Sequence, residues 1–369
     1  MKEALLLTPG PTNVPARVLD KTALPMIHHR TKEFQAILER VNGNLGKVFV
    51  TKHPVLYFAS SGTGAMEATV TNLLSKGDTV LSISAGKWGE RYRDIARVYG
   101  LDVKSFEIEY GKAVSVEEVR SALKAHPNAK AILITLTETS TAVVHPIKEI
   151  AALTRNSNTL LFVDAISGLC CDPLPMDEWG VDVVVCGSQK GMMLPPGLSF
   201  VAVNDRAQAA ISTSTLPKYY FNFAETIKAM KKNDTPFTPA VSLIRGLDEA
   251  LIMLLEEGIE KVWTRHAEVA HYVREKVKGL GLDLFAKSPS NALTAIVLPA
   301  DIPSKNLINY MRDQHGVVMA DGQGELQGKI VRFAHMGWAC TAKDAKTGYD
   351  AFCDALAKAG YARAQAVNA

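Results

Sequence analysis

Over the first two thirds of the chain, short unbroken apolar runs alternate with segments in which apolar residues recur every three or four positions. The unbroken runs predict strands at 55–59, 79–83, 103–108, 131–135, 160–163, 181–186 and 198–203. Their Val, Ile and Leu content, with little polar alternation, is that of strands covered on both faces. The helical period appears between them. Met66, Val70 and Leu73 mark a helix over 65–74 that Gly77 stops. Ser115 and Glu118 have the spacing of a capping box ahead of Val119 and Leu123. Pro146 suits the first turn of a helix carrying Ile147, Ile150 and Leu153. Strands alternating with helices predict an α/β fold, a mostly parallel seven-stranded sheet with helices on both faces.

The pattern changes after about residue 240. A helical stretch over 242–280, broken near Gly258, leads to strand candidates at 282–285 and 292–298. A helix near 305–314, strands at 317–319 and 329–334 and a last helix over 342–359 follow. This is the outline of a smaller C-terminal α+β domain. The Ala-rich tail after Gly360 is expected to fray. The 369 residues suit about two domains.

Charge and composition exclude several classes. Lys+Arg at 41 against Asp+Glu at 38 leaves +3, without the clustered basic excess of a nucleic-acid binder. No run reaches the ~18 uninterrupted apolar residues of a membrane helix. The opening MKEALLLTPGPT lacks the pattern of a signal peptide. Cys170, Cys171, Cys186, Cys340 and Cys353 are odd in number and contain no CxxC pair, against a disulfide framework or zinc cluster. A cytoplasmic protein is the expectation. The histidines give no metal pattern: His28 and His29 are adjacent, and His266 and His271 lie five apart, not four.

Four features carry candidate chemistry. Ser60-Ser61-Gly62-Thr63-Gly64 joins a strand to a helix, as an ordinary turn or as a cup whose backbone N–H groups hold a phosphate. It matches neither GxGxxG nor GxxxxGK[ST]. Asp164 ends an apolar strand, as a helix N-cap or as a buried anion awaiting a cation at the sheet edge where ligands bind. Lys190, in Gly187-Ser188-Gln189-Lys190 ahead of a rigid Pro195-Pro196-Gly197 turn, emerges at that same edge. Arg332 sits inside an apolar strand, as a snorkelling edge residue or as a carboxylate clamp.

A phosphate cup, a buried carboxylate, a lysine amine and an arginine clamp together suit pyridoxal phosphate chemistry. The sequence resembles the class V aminotransferases of pyridoxal-phosphate (PLP) fold type I, within them the alanine–glyoxylate and serine–glyoxylate group. The resemblance runs from Pro9-Gly10-Pro11-Thr12-Asn13 through Ser61-Gly62-Thr63-Gly64-Ala65-Met66-Glu67 and Val163-Asp164-Ala165 to the Gly187–Lys190 segment with Gly191, Pro195-Pro196-Gly197-Leu198 and Val331-Arg332-Phe333. The lysine segment with its downstream PPG is the most specific part.

The resemblance implies pyridoxal 5′-phosphate as cofactor, with Lys190 binding its aldehyde and acting as the catalytic acid and base. It implies Asp164 at the pyridine nitrogen and Ser61, Gly62, Thr63 and Gln189 at the phosphate. Trp88 would stack on the ring, Thr139 would lie beside its hydroxyl, and Ile166 would complete the pocket. Thr238 would reach the phosphate from the second subunit of a homodimer. Arg332 would clamp the substrate α-carboxylate, with Gly10 and Asn13 at the entrance and His28-His29-Arg30 at the mouth. Residues 1–20 would form an arm lining the site, 21–250 the PLP-binding domain and 251–369 the small domain. The implied reaction is ping-pong transfer from a small amino acid of the alanine or serine type to glyoxylate or pyruvate. Thr63 departs from relatives that carry histidine there. Two rivals are a cysteine desulfurase-like lyase, for which Cys340 is the available thiol, and a non-catalytic scaffold, which should have lost Lys190 or Asp164.

Overall fold

The computed structural model describes residues 4–363; the expected fraying of the tail falls largely outside them. Seven strands form the main sheet: β1 (Val55–Phe58), β2 (Thr79–Ser84), β3 (Asp102–Glu107), β4 (Ala131–Thr135), β5 (Leu160–Asp164), β6 (Val183–Gly187) and β7 (Ser199–Val203). Their order is β1-β7-β6-β5-β4-β2-β3, with β7 antiparallel to both neighbours and the other pairs parallel. All seven predicted strands are present.

The unbroken apolar runs have a direct cause. In β5, Leu161 and Val163 join the core on one face, while Leu160 and Phe162 join the core on the other. In β4, Ile132 and Ile134 divide from Ala131 and Leu133 in the same way. Successive side chains alternate in direction, so a strand covered twice needs apolar residues at every position. Each fully buried aliphatic or aromatic side chain contributes roughly 1.5–3 kcal/mol before entropy is charged. The C-terminal ends of β4, β5 and β6 lie side by side, and the loops leaving them carry most of the site.

The helices that matter below are α1 (Gly62–Leu73), α2 (Lys87–Val98), α3 (Val241–Glu257), α4 (Ile259–Gly279) and α5 (Ala342–Lys358). Gly258, at φ +87°, separates α3 from α4 as expected. The capping box at Ser115 is formed in full. Beyond α4 a second sheet runs β8-β10-β9, from β8 (Leu293–Val297), β9 (Ala320–Asp321) and β10 (Ile330–Ala334), all antiparallel.

Two expectations change here. The segment 282–285 is not a strand: Leu284 makes only an isolated bridge to Ile296, because the short run leaves the sheet after one pairing. Arg332 is not an edge residue but lies on the central strand, paired with Ala295 on one side and Ala320 on the other. The sheet core extends through Leu251 and Leu254 to Val262, and a second core begins at Val269. The N-terminal segment belongs to this second body. Leu5–Leu6 pairs in parallel with Val317–Val318, and Leu7 is buried in the second core.

Candidate active site

A cavity of about 640 Å³ opens where the N-terminal segment, the main sheet and β10 converge. Ser61, Gly62, Thr63, Trp88, Thr139, Asp164, Ile166, Gln189, Lys190, Arg332 and Gly10 all line it. Residues from seven separate stretches of sequence are thus brought to one volume.

Ser61 is the N-cap residue of α1, yet its hydroxyl makes no capping bond, and the first turn carries no acidic side chain. The positive end of the helix therefore faces the cavity rim without a built-in anion. Gly62 is required by packing, since a Cβ there would lie 2.5 Å from Ile166 Cδ1.

Trp88 is aimed by a carboxylate buried behind it. Glu138 Oε2 accepts the N–H groups of Trp88 at 3.0 Å and Gly89 at 3.1 Å, capping α2 from outside the helix. Its Oε1 accepts from the Ser140 backbone and hydroxyl, and burial pushes the Glu138 carboxyl up.

Asp164 ends β5, and its Oδ1 accepts the Ile166 N–H at 2.8 Å. Burial drives this carboxyl from 3.8 to about 7, with the nearby Glu138 adding to the rise and Lys190 opposing it. A cation against Asp164 is therefore what keeps it ionised at neutral pH.

Lys190 leaves the loop after β6 and is only 7% exposed. Its Nζ donates to Ser167 Oγ at 3.1 Å and to the Pro9 carbonyl, and lies 5.7 Å from the Trp88 ring centre. Burial lowers the amine from 10.5 to about 8. An amine near 8 exchanges a proton readily near neutral pH, which suits a general acid and base.

The N-terminal segment presses on this lysine. A Cβ on Gly10, whose φ is +106°, would lie 2.7 Å from Lys190 Cε. Gly10→Ala combines backbone strain with that overlap and should displace the amine. The expected result is at least a roughly tenfold fall in kcat with a smaller change in cofactor affinity, measured by turnover and absorbance titration.

Arg332 is held from behind. Its Nε donates to the Asp321 carbonyl at 2.8 Å and its Nη1 to the Thr139 carbonyl at 3.0 Å. Burial lowers the guanidinium to about 10, so it remains charged at neutral pH. The fixed guanidinium can present its remaining N–H groups to a carboxylate.

One residue is placed differently from expectation. Asn13 does not line the cavity: its Oδ1 accepts the Leu6 N–H at 2.7 Å and its Nδ2 donates to the Ala4 carbonyl, so the amide is consumed in folding the N-terminal segment. Thr238, expected to act from a second subunit, is exposed and helps line a separate cleft with Tyr57, Tyr220 and Phe237. The His28-His29-Arg30 segment is also away from the cavity lining, with Arg30 paired to Asp234. Cys340 is buried and its thiol is pushed up to about 12, which leaves it unreactive.

Arg91, Ser167, Glu138 and Gln323 were not singled out from the sequence. Arg91 lies three residues after Trp88 on a helix and so shares its face, a signal that was available. Ser167 and Glu138 act through contacts across the fold that spacing does not disclose.

Four buried polar atoms on cavity-lining residues have no hydrogen-bond partner: Thr139 Oγ1, Trp88 Nε1, Gln189 Oε1 and Gln323 Oε1. Such atoms cost about 1–3 kcal/mol each when left unmet, so a polar, ring-shaped occupant is what this set fits. Pyridoxal phosphate has a flat ring for Trp88, a hydroxyl for Thr139, a basic nitrogen for Asp164 and an aldehyde for Lys190. The residues present fit it. Among the described residues there is no group of three or more side chains able to hold a metal, and no helix is long and apolar enough to cross a membrane.

Known proteins give an independent view. The family model for aminotransferase class-V matches residues 4–337. The chain is 36% identical over 364 residues to a protein of Synechococcus sp. described as the small subunit of a soluble hydrogenase, covering 97% of this chain and 94% of that one. It is 35% identical over 376 residues to the L-aspartate–glyoxylate aminotransferase of Paracoccus denitrificans, covering 99% and 91%. The solved structure of an alanine–glyoxylate aminotransferase from Nostoc sp. superimposes with a TM-score of 0.92 at 30% identity, covering 96% of each chain.

Proposed function

The chain belongs to the class V aminotransferases and is an enzyme that uses pyridoxal 5′-phosphate; from that premise we propose that it moves an amino group from a small amino acid of the alanine or serine type to glyoxylate or pyruvate, in two ping-pong half-reactions. One observation carries the reading. A desolvated lysine amine and a buried carboxylate line the same cavity, among polar atoms that lack partners.

When bound, the cofactor supplies an electron-withdrawing ring that stabilises negative charge at the substrate α-carbon. Asp164 holds a proton on the ring nitrogen by ion pairing, and that cation keeps Asp164 ionised in turn. Trp88 and Ile166 fix the plane of the ring, while Thr139 Oγ1 meets its hydroxyl. Ser61, Gly62, Thr63 and Gln189 hold the phosphate at the start of α1. Lys190 Nζ would take up the proton from the substrate α-carbon and hold it for return within the same half-reaction. Its neighbour Ser167 and the Pro9 carbonyl hold the amine in reach. Arg332 receives the substrate α-carboxylate, and Gly10 leaves room for the amine to move.

Amino acid and oxo acid substrates of one carboxylate each suit Arg332 as their carboxylate partner. Alanine, serine and aspartate, each paired with glyoxylate or pyruvate, should be compared in one donor–acceptor matrix. Transfer from alanine or serine at the highest kcat/KM supports the reading; transfer only from other donors overturns the substrate class. Arg332→Lys should raise KM for the amino acid about 10- to 100-fold while leaving cofactor absorbance intact, because the ammonium loses the planar fork. An unchanged KM would remove Arg332 from the carboxylate site.

We further propose a homodimer in which Thr238 of the partner subunit reaches the phosphate. The exposed Tyr219, Tyr220 and Phe237 stack together beside Thr238, an apolar surface that supports burial against a second copy. All five cysteines are free and buried, which supports a reducing compartment such as the cytoplasm.

A further inference from the structure

Three cationic side chains line the cavity, and two are already engaged. Lys190 bonds to Ser167 and Pro9, and Arg332 bonds to the carbonyls of Asp321 and Thr139. The third, Arg91, reaches the turn that opens α1: its Nη1 donates to Thr63 Oγ1 at 3.0 Å. Its guanidinium carbon lies 4.3 Å from the centre of the Trp88 ring. Among the described residues it forms no ion pair with a carboxylate, although Glu90 and Asp94 on either side of it are paired with Lys87 and Arg93.

The turn itself carries no formal charge. Ser61, Gly62, Thr63 and the adjoining Gln189 are neutral. A phosphate monoester brings about −1.5 to −2 charges at neutral pH. The helix end opposes these with only about +0.5. An excess of about one negative charge therefore remains, which a guanidinium at Thr63 would meet. We propose that Arg91 binds the cofactor phosphate and supplies the cation that the Ser61–Thr63 turn lacks, with Trp88 and Thr63 holding its planar fork in place. This rests on the assignment of that turn to the phosphate made under Proposed function.

The stack has a geometric reason. Arg91 follows Trp88 by three residues on α2, which sets the two side chains on one helix face. Packing over an aromatic face orients a guanidinium without neutralising it, leaving its donors for an anion. Thr63 then does more than line the turn. Its hydroxyl accepts from Arg91, so its own proton remains available to a phosphate oxygen.

The test compares two ligands that differ only in the phosphate. Dissociation constants of the cofactor-free protein for pyridoxal 5′-phosphate and for pyridoxal are measured by absorbance, with inorganic phosphate as competitor. Arg91→Gln should weaken pyridoxal 5′-phosphate and inorganic phosphate by about 10- to 100-fold and leave pyridoxal unchanged, the loss expected of a charge-assisted contact. Arg91→Lys should fall between the two, since it keeps the charge and loses the fork. Equal weakening of pyridoxal and its phosphate would overturn the inference, showing that Arg91 acts only by supporting Trp88. Unchanged constants would also overturn it, including the case in which only turnover of acidic amino donors suffers. Wild-type protein with no preference for the phosphorylated ligand would overturn the assignment of the turn itself.

Discussion

Asp164→Asn is expected to lower kcat by about 100- to 1,000-fold and, in the cofactor-free protein, to raise thermal stability above pH 7. The two effects have one cause. Asparagine keeps an oxygen for the Ile166 N–H, which approaches Asp164 Oδ1 at 2.8 Å, but removes the charge. The proton on the cofactor's ring nitrogen then loses its counter-ion, so the electron-withdrawing power of the ring declines. The stability gain follows from the raised carboxyl, about 7 against an ordinary 3.8. Such a group favours folding fully below the unfolded value and loses that contribution as pH rises through the folded one. Wild-type protein should therefore weaken between about pH 4 and 7, while the asparagine variant should not. The difference should be on the order of 1–4 kcal/mol above pH 7 and vanish below pH 4. Melting curves of both cofactor-free proteins across that range check it. Equal melting temperatures at pH 8 would show that Asp164 is not a buried charge in the free protein.

Asp164 and its neighbours differ in how plainly the sequence marks them. Asp164 was visible because a carboxylate closing an apolar strand is costly without a partner. Lys190 was visible because its segment leaves a strand at the same edge. Glu138 sits equally deep and gave no such signal: it lies in Glu138-Thr139-Ser140-Thr141, a polar stretch that reads as a loop. Its task, capping α2 behind Trp88, exists only once that stretch folds against the helix. The strands were legible for a similar reason to Asp164. Double coverage of the sheet writes itself into every position of β4 and β5, whereas β9 is two residues long and carries no periodicity.

The second body was harder to read because its parts are joined by long-range pairing. Leu5–Leu6 has no strand pattern of its own, and its partner Val317–Val318 lies more than 300 residues away. That pairing has a consequence for the site. It ties the segment carrying Pro9 and Gly10 to the sheet carrying Arg332, and the Ala334 N–H donates to the Leu7 carbonyl at 2.9 Å. Thr12 in turn meets the backbone of Gln189 and Lys190. Arg332 and Lys190 are thus linked through one short stretch of N-terminal chain. Asn13, expected at the entrance, instead fixes the fold of that stretch.

Lys190→Ala should be the most damaging change, with kcat falling by at least ~10,000-fold, because among the described residues lining the cavity there is no second amine and no imidazole or thiol. Ser167 Oγ lies 3.1 Å from Nζ but is too weak a base to substitute, and the Pro9 carbonyl has no proton to exchange. In the wild type the proton-accepting form is the neutral amine, which burial makes available by lowering it from 10.5 to about 8. Activity should therefore rise as pH passes through about 8. The alanine variant leaves space beside Trp88 and Gly10 where the side chain ran. Small primary amines added in solution should enter that space and restore part of the rate in proportion to their concentration. The pH at which the restored rate rises should then follow the amine supplied and not the protein. Single-turnover measurements with a series of amines of different basicity separate this from a folding defect, since a misfolded site would show no dependence on the amine. A variant that retained wild-type kcat would remove Lys190 from proton transfer altogether.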